Sequence, residues 1–253
     1  MKKSLFAALC AFGFSLTQLA QADVLGVWAG GGMWDWEVSG KVRYQSTDSN
    51  NDIDLKNELG WKDDDSGTAF AIIEHPIPVL PNVKVFTTSV ETSGTGTISG
   101  SKLFGGANFS ANVSSSLDLD MTDITLYYEV LDNVVSLDLG LTAKIVDGKV
   151  SITETGGALD SATATFDGVV PMGYVGVEIA LPLTGLTLGG NLSALSVGDS
   201  SVTDTHIYAR YTTDFMLGIE AGIKNVNFEL DDLDDSYGEL DFEGVYAQLF
   251  LHF

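Results

Sequence analysis

From Val135 to Ile145 the chain changes polarity at every residue. Val135, Leu137, Leu139, Leu141, Ala143 and Ile145 alternate with Ser136, Asp138, Gly140, Thr142 and Lys144. Side chains on a strand point to opposite faces with period two, so this pattern gives a strand with one apolar and one polar face. The pattern recurs over Asp123 to Val130, Tyr174 to Leu183 and Phe215 to Lys224. Helical periodicity is scarce. After residue 22 no apolar run approaches the roughly 18 residues that a membrane-spanning helix needs. Alternation alone suits a soluble β-sandwich as well as a membrane barrel, and the connections between strands separate the two.

Ten strands are expected, at about 24–42, 67–76, 82–97, 116–131, 134–146, 170–183, 186–197, 202–213, 215–228 and 239–253. Tight turns follow the even-numbered strands: His75 to Asn82, Leu131 to Asn133, Leu183 to Gly185 and Thr212 to Asp214. Long polar links follow most odd-numbered ones, at 43–66, 98–115, 147–169 and 229–238, with Gly198 to Ser201 as the short exception. Transmembrane β-barrels are built this way, with short periplasmic turns and longer outer loops. The expected fold is therefore an all-β, antiparallel, up-and-down transmembrane barrel of about ten strands. The first and third strands alternate poorly, so eight or twelve strands also fit. An even count puts both termini on one side.

Residues 1–22 have the pattern of a cleaved signal peptide. Lys2 and Lys3 precede an apolar stretch from Ser4 to Leu16, and Ala20-Gln21-Ala22 supplies the cleavage site. The barrel domain is then 23–253. The lone cysteine, Cys10, falls inside the leader, which leaves the mature chain no disulfide, thiolate metal site or cysteine nucleophile. Leu9 before it does not suit a lipoprotein. The formal net charge of −23 argues against nucleic-acid binding, which needs Lys and Arg against phosphate. With 45% apolar residues the chain is equally unlike an acidic disordered segment.

The C-terminus, Val245-Tyr246-Ala247-Gln248-Leu249-Phe250-Leu251-His252-Phe253, ends on an aromatic with apolar residues at every second position before it. It resembles the C-terminal assembly signal of bacterial outer-membrane barrels, which implies the barrel-assembly machinery as a partner during biogenesis. The turn Glu74-His75-Pro76-Ile77-Pro78 to Leu80-Pro81-Asn82 and the stretch Ile53 to Gly60 look like a small, poorly characterised family of Gram-negative outer-membrane barrels. That resemblance implies a fold and a location in the cell outer membrane, and no reaction. A closed barrel pairs every backbone group that lipid would leave unsatisfied. Trp34, Trp36, Tyr128, Tyr211, Phe215 and Phe253 are expected near strand ends or on lipid faces, where aromatic girdles sit.

Inward faces are expected to carry Glu129, Asp138, Lys144, Glu178, Asp204, His206, Arg210, Glu220 and Lys224, together with Asp35, Glu37, Glu74, Glu91 and Asp123. These charges form either a cation-favouring lumen or a salt-bridged plug. A barrel of eight to ten strands has so little interior that a plug is favoured. Two acidic segments, Asp48 to Asp65 and Glu229 to Glu243, are expected as outer loops. Within the second, Asp231, Asp232, Asp234 and Asp235 are the candidates for loosely bound Ca²⁺ or Mg²⁺, without an EF-hand pattern. No other cofactor is expected. The leading expectation is a structural or surface-interaction role through acidic outer loops that contact lipopolysaccharide. A narrow cation-selective or small-solute channel is the alternative. A rim hydrolase built from Asp204, His206 and Ser200 or Ser201 ranks last, so no catalytic residue is assigned. The glycine runs Gly30-Gly31-Gly32 and Gly189-Gly190 lie in strands, where they ease barrel curvature rather than bind phosphate.

Overall fold

The computed structural model describes residues 25–155, 160–213, 215–233 and 235–253. The signal peptide expected over 1–22, and Asp234 among the candidate metal ligands, lie outside the described residues.

The wall is a single antiparallel sheet. Its strands are β1 (Gly26–Tyr44), β3 (Asp64–Glu74), β4 (Asn82–Thr97), β7 (Asn112–Leu131), β8 (Val135–Glu154), β9 (Ser161–Leu181), β10 (Leu186–Val197), β11 (Ser200–Thr212), β12 (Leu217–Leu233) and β13 (Ser236–His252). Each pairs with its neighbour in this order, and β13 returns to β1, closing a ten-stranded barrel. The seam runs from Trp28↔His252 to Tyr44↔Ser236, and Val27 and Phe253 exchange backbone hydrogen bonds of 3.1 and 2.9 Å at its end. The two-residue β2 (Ile53–Asp54) adds to β1, and β5 (Lys102–Phe104) pairs with β6 (Ala107–Phe109) in a small separate hairpin.

The tight turns after β3, β7, β9 and β11 share one end of the barrel with the start of β1 and the end of β13, and this is the turn end. At the opposite, loop end, two expected loops are mostly strand. The stretch 147–169 extends β8 and β9, and 229–238 extends β12 and β13. Their Ser, Thr, Gly and Asp content looks like loop, yet Val150, Ile152, Ala162 and Ala164 alternate inward and are buried.

The outer surface has two zones. Toward the turn end, outward residues are apolar and exposed: Met33, Leu139, Leu141, Ile145, Val177, Ile179, Ile207, Ile219, Ile223, Val245, Leu249 and Leu251. Tyr128, Tyr211, Phe215 and Phe253 are exposed near the turn end, as a girdle requires. Trp34 and Trp36 are not in that girdle. Both point into the barrel and are fully buried. Toward the loop end the outward positions turn acidic. Asp35, Glu37 and Glu91, expected inside, are exposed on this outer face. The rule that polar side chains point inward holds only where the outside is apolar, and these residues sit above that zone.

The loop-end interior is an apolar core. Trp36, Val38, Val90, Val113, Leu117, Ile152 and Phe242 meet Ile53, Leu55, Leu59, Trp61, Ile98, Phe104 and Phe109 from the two long links. The segment 45–63, which includes most of the acidic outer loop expected over Asp48 to Asp65, thus folds inward as a cap. Burying each Leu, Ile or Phe of this kind contributes about 1.5–3 kcal/mol. Trp61 donates its indole N–H to Ser115 Oγ at 2.9 Å, and Ser115 donates to the Leu59 carbonyl at 2.9 Å. The cap lies directly on the β4 backbone. A Cβ on Gly94 would come within 2.0 Å of the Gly60 carbonyl oxygen, so only glycine allows the approach.

Candidate functional site in the barrel lumen

β11 places Asp204, His206 and Arg210 on its inner face, two and four residues apart, and β12 places Glu220 and Lys224 opposite them (Arg210↔Glu220, His206↔Lys224). Alternation therefore builds two charged layers across the same strand pair. In the middle layer, Lys144 Nζ lies 2.8 Å from both Asp123 and Asp204, and Lys224 Nζ lies 2.8 Å from the other Asp204 oxygen. His206 Nε2 sits 3.0 Å from Asp204 and 2.8 Å from Lys224. Its ring packs edge-on against Phe86 and Tyr246, at 5.3 and 5.6 Å between centroids. Lys144 and Lys224 are each only 1% exposed, so these charges are almost wholly removed from water. Such a cluster persists only if each member is paired, since an unpaired buried ion costs several kcal/mol.

The layer nearer the turn end centres on Arg210. Its guanidinium bridges Glu178 at 2.9 Å and Glu220 at 2.8 Å. Tyr246 and Gln248 donate to the second oxygen of Glu220, at 2.8 and 2.7 Å, and Tyr208 donates to Glu178 at 2.5 Å. Tyr127 donates to Glu74 at 2.7 Å, and Asn82 donates to Glu129 at 3.3 Å. Glycine makes room for these groups. A Cβ on Gly189 would come within 2.6 Å of the Tyr208 ring. A cavity of about 160 Å³ remains here, bordered by Glu74, Lys84, Glu129, Asp138, Glu178 and Arg210 among others. A void of about 20 Å³, roughly one water, lies between the layers.

All nine residues proposed from the sequence for the lumen point inward. Lys144, Asp204, His206 and Lys224 form one cluster, and Glu178, Arg210 and Glu220 form the second. Glu129 and Asp138 border the turn-end cavity. Lys84 was not singled out from the sequence, because valines flank it on a strand that alternates poorly. Its even-numbered register with the inward Phe86 and Thr88 was the available signal. The hydrolase arrangement is not assembled. Ser201 Oγ donates to Glu229 on the outer face, Ser200 Oγ donates to the Asp231 carbonyl, and His206 is buried in the lumen between Asp204 and Lys224.

In the acidic segments several carboxylates have partners within the protein. In the cap, Asp52 pairs with Lys41 and Arg43, both at 2.9 Å, and Asp63 pairs with Lys56 at 2.8 Å. Glu58 pairs with Lys102 at 2.5 Å. Burial pushes the Glu58 carboxyl up, but the Lys102 ammonium and the N–H groups of Asp54 and Ser99 outweigh it and hold the carboxyl below the ordinary carboxylate range. In the other segment Asp231 and Asp232 lie on β12, and Asp235 follows in the turn. Asp232 accepts from the Tyr237 hydroxyl at 2.7 Å. Among the described residues no group of three or more His, Cys, Asp or Glu converges as a metal site.

No protein-family model matches the sequence, and no curated protein matches it. Among solved structures, the outer-membrane protease OmpT from Escherichia coli superposes over 94% of this chain and 100% of its own, with a TM-score of 0.56 at 12% identity. The translocator domain of the autotransporter NalP from Neisseria meningitidis matches 92% of this chain and 90% of its own, at 12% identity and a TM-score of 0.42. At such identities the likeness concerns architecture alone. The chain has the closed, ten-stranded antiparallel fold of the outer-membrane β-barrels.

Proposed function

We propose that this protein resides in the outer membrane as a filled barrel that presents an acidic rim to the cell surface. Its turn end faces the periplasm, its apolar zone lies in lipid, and its role is structural or adhesive. The observation that carries this reading is the outer face above the apolar zone. There, carboxylates of adjacent strands stand directly opposite one another: Asp35↔Asp65, Glu37↔Glu243, Glu91↔Asp118, Asp120↔Asp147, Asp147↔Asp167 and Glu229↔Glu239. Like charges so placed destabilise a sheet. A divalent cation between them removes the repulsion through oxygen ligands. Lipopolysaccharide, itself anionic, supplies the phosphates that such cations would join to the rim. The alternating residues of Val245 to Phe253 suit recognition by the barrel-assembly machinery.

The test is urea unfolding of the refolded barrel, with and without Mg²⁺ or Ca²⁺, alongside binding to lipopolysaccharide. Divalent cations are expected to raise the midpoint and to be required for lipopolysaccharide binding, and the double variant Glu37→Gln, Glu243→Gln to weaken both effects. A midpoint and binding indifferent to a chelator would remove the reading.

The turn-end cavity supports a second reading, a narrow cation-selective pore, because its carboxylates outnumber Lys84 and Arg210. Conductance steps in a planar bilayer would establish it. The buried Lys144–Asp204–Lys224 layer across the lumen favours silence.

A further inference from the structure

The barrel wall is notched on one side. β10 covers β9 only from Leu186↔Leu181 to Ala194↔Gly173. β9 nevertheless continues to Ser161, held on its other edge by β8. Among the described residues, the edge of β9 over 161–172 has no partner strand. Across the gap, β11 follows β12 only as far as Ser201↔Glu229, and above that β12 pairs with β13 alone. Two tall walls thus face each other over the low β10–β11 hairpin.

Behind the notch lies an apolar cavity of about 320 Å³. Leu119, Val146, Val150, Val202, Phe228 and Leu240 form its walls. Every residue from Thr165 to Val170 borders it. Successive strand residues face opposite sides, so the cavity reaches around the bare edge of β9 and opens sideways. Its size is at the lower end of small-ligand pockets, about 300–1,000 Å³, and an apolar cavity holds water poorly. The lower lip of the notch continues the apolar outer zone, with Val169 and Val197 at 62% and 68% exposure. The opening therefore lies where lipid chains would end and the acidic zone begins.

We propose that this cavity takes a single acyl chain of a bilayer lipid, which enters laterally between β9 and β12. The chain reaches the apolar interior without crossing the acidic rim. This goes beyond the surface role above but rests on the same placement in a membrane.

The experiment is tryptophan quenching in bilayers of phosphatidylcholine carrying dibrominated acyl chains. A Phe228→Trp reporter sits on the cavity wall, and the parent protein supplies the background from the native tryptophans. A Leu249→Trp reporter on the outer apolar zone tests membrane placement separately. Gly168→Leu is designed to fill the cavity: Gly168 borders it, and a Cβ there has no atom within 4 Å. Val146→Phe, at the position on β8 that pairs with Gly168, fills it if the first variant does not fold, as judged by heat-modifiable mobility. The expected result is strong quenching of both reporters, with that of Phe228→Trp reduced several-fold by either filling variant. Quenching at Leu249→Trp without any at Phe228→Trp would overturn the inference and leave the membrane placement standing. No quenching at either position would overturn both. Quenching of Phe228→Trp by a free brominated fatty acid but not by brominated bilayer would overturn the lipid source.

Discussion

The two halves of this barrel have opposite polarity. At the turn end the outside is apolar and the inside carries buried ion pairs. At the loop end the inside is an apolar core, with Trp36, Leu59 and Phe242 fully buried, and the outside is acidic. The same strands cross both halves. β13 carries Leu251, Leu249 and Val245 outward, then Glu243, Asp241 and Glu239 in the same register. One closed sheet thus carries two outer surfaces, and its interior switches in the opposite sense. The lesson is that side-chain direction in a barrel follows from the character of the outer surface at that height, and a single inward-polar rule fails above the apolar zone.

The comparison breaks most visibly at the charged layer. Asp204→Ala would leave Lys144 and Lys224 buried without their shared partner. A loss of about 3–5 kcal/mol is expected in urea unfolding of the refolded protein. A loss under about 1 kcal/mol would mean that water fills the layer and that it is no plug.

A smaller effect sharpens the contrast along one strand. Leu249→Arg, in the apolar zone, should destabilise the barrel in a bilayer by about 2–4 kcal/mol, whereas Glu243→Arg, three outward positions higher, should be neutral or stabilising. Equal penalties at the two sites would erase the boundary between the zones.

The smallest effect concerns the cap alone. The Glu58 carboxyl is held below its unfolded value, so it binds protons less readily when folded. Its contribution is complete above about pH 4.3, the ordinary value for glutamate, and is lost as pH falls through the folded value. Acidification should therefore expose Trp61 to a soluble quencher while the closed barrel keeps its shifted gel mobility. In Lys102→Met this acid response should shrink. Simultaneous opening of cap and wall would show that they are one cooperative unit.

The strands with an exposed apolar outer face were the legible ones. Val135 to Ile145 and Val245 to Phe253 alternate because one face must be apolar and the other need not be. The turns after β3, β7, β9 and β11 were also readable, being bounded by Pro, Asn, Asp and Gly. Above the apolar outer zone that signal inverts. Asp35, Glu37 and Glu91 were assigned to the inside on polarity, and Trp34 and Trp36 to an aromatic girdle, when the reverse holds. The extensions of β8 and β9 were hidden by small and hydroxylated residues, whose strand character comes from pairing rather than propensity. Ile53, Leu55, Leu59 and Trp61 were visible as apolar residues in an acidic segment, a sign of inward folding that outweighs the charges around them. In the site, the inward register of the nine lumen charges was legible from period two. Which cation meets which carboxylate was not, because those pairs join residues up to 60 apart in sequence.

The seam between β1 and β13 sets an order of events. It joins Trp28 to His252 and Tyr44 to Ser236, the most distant pairings in the chain, whereas every other wall contact links neighbours in sequence. Loop-closure entropy makes distant contacts the slow ones. Hairpins such as β7–β8 and β12–β13 can therefore zip early, and the sheet stays an open ribbon with two bare edges until its last strand arrives. Through that interval the first strand must wait with unpaired amides, a template for any passing edge. The rate of making a finished barrel is then the rate at which those two edges find each other.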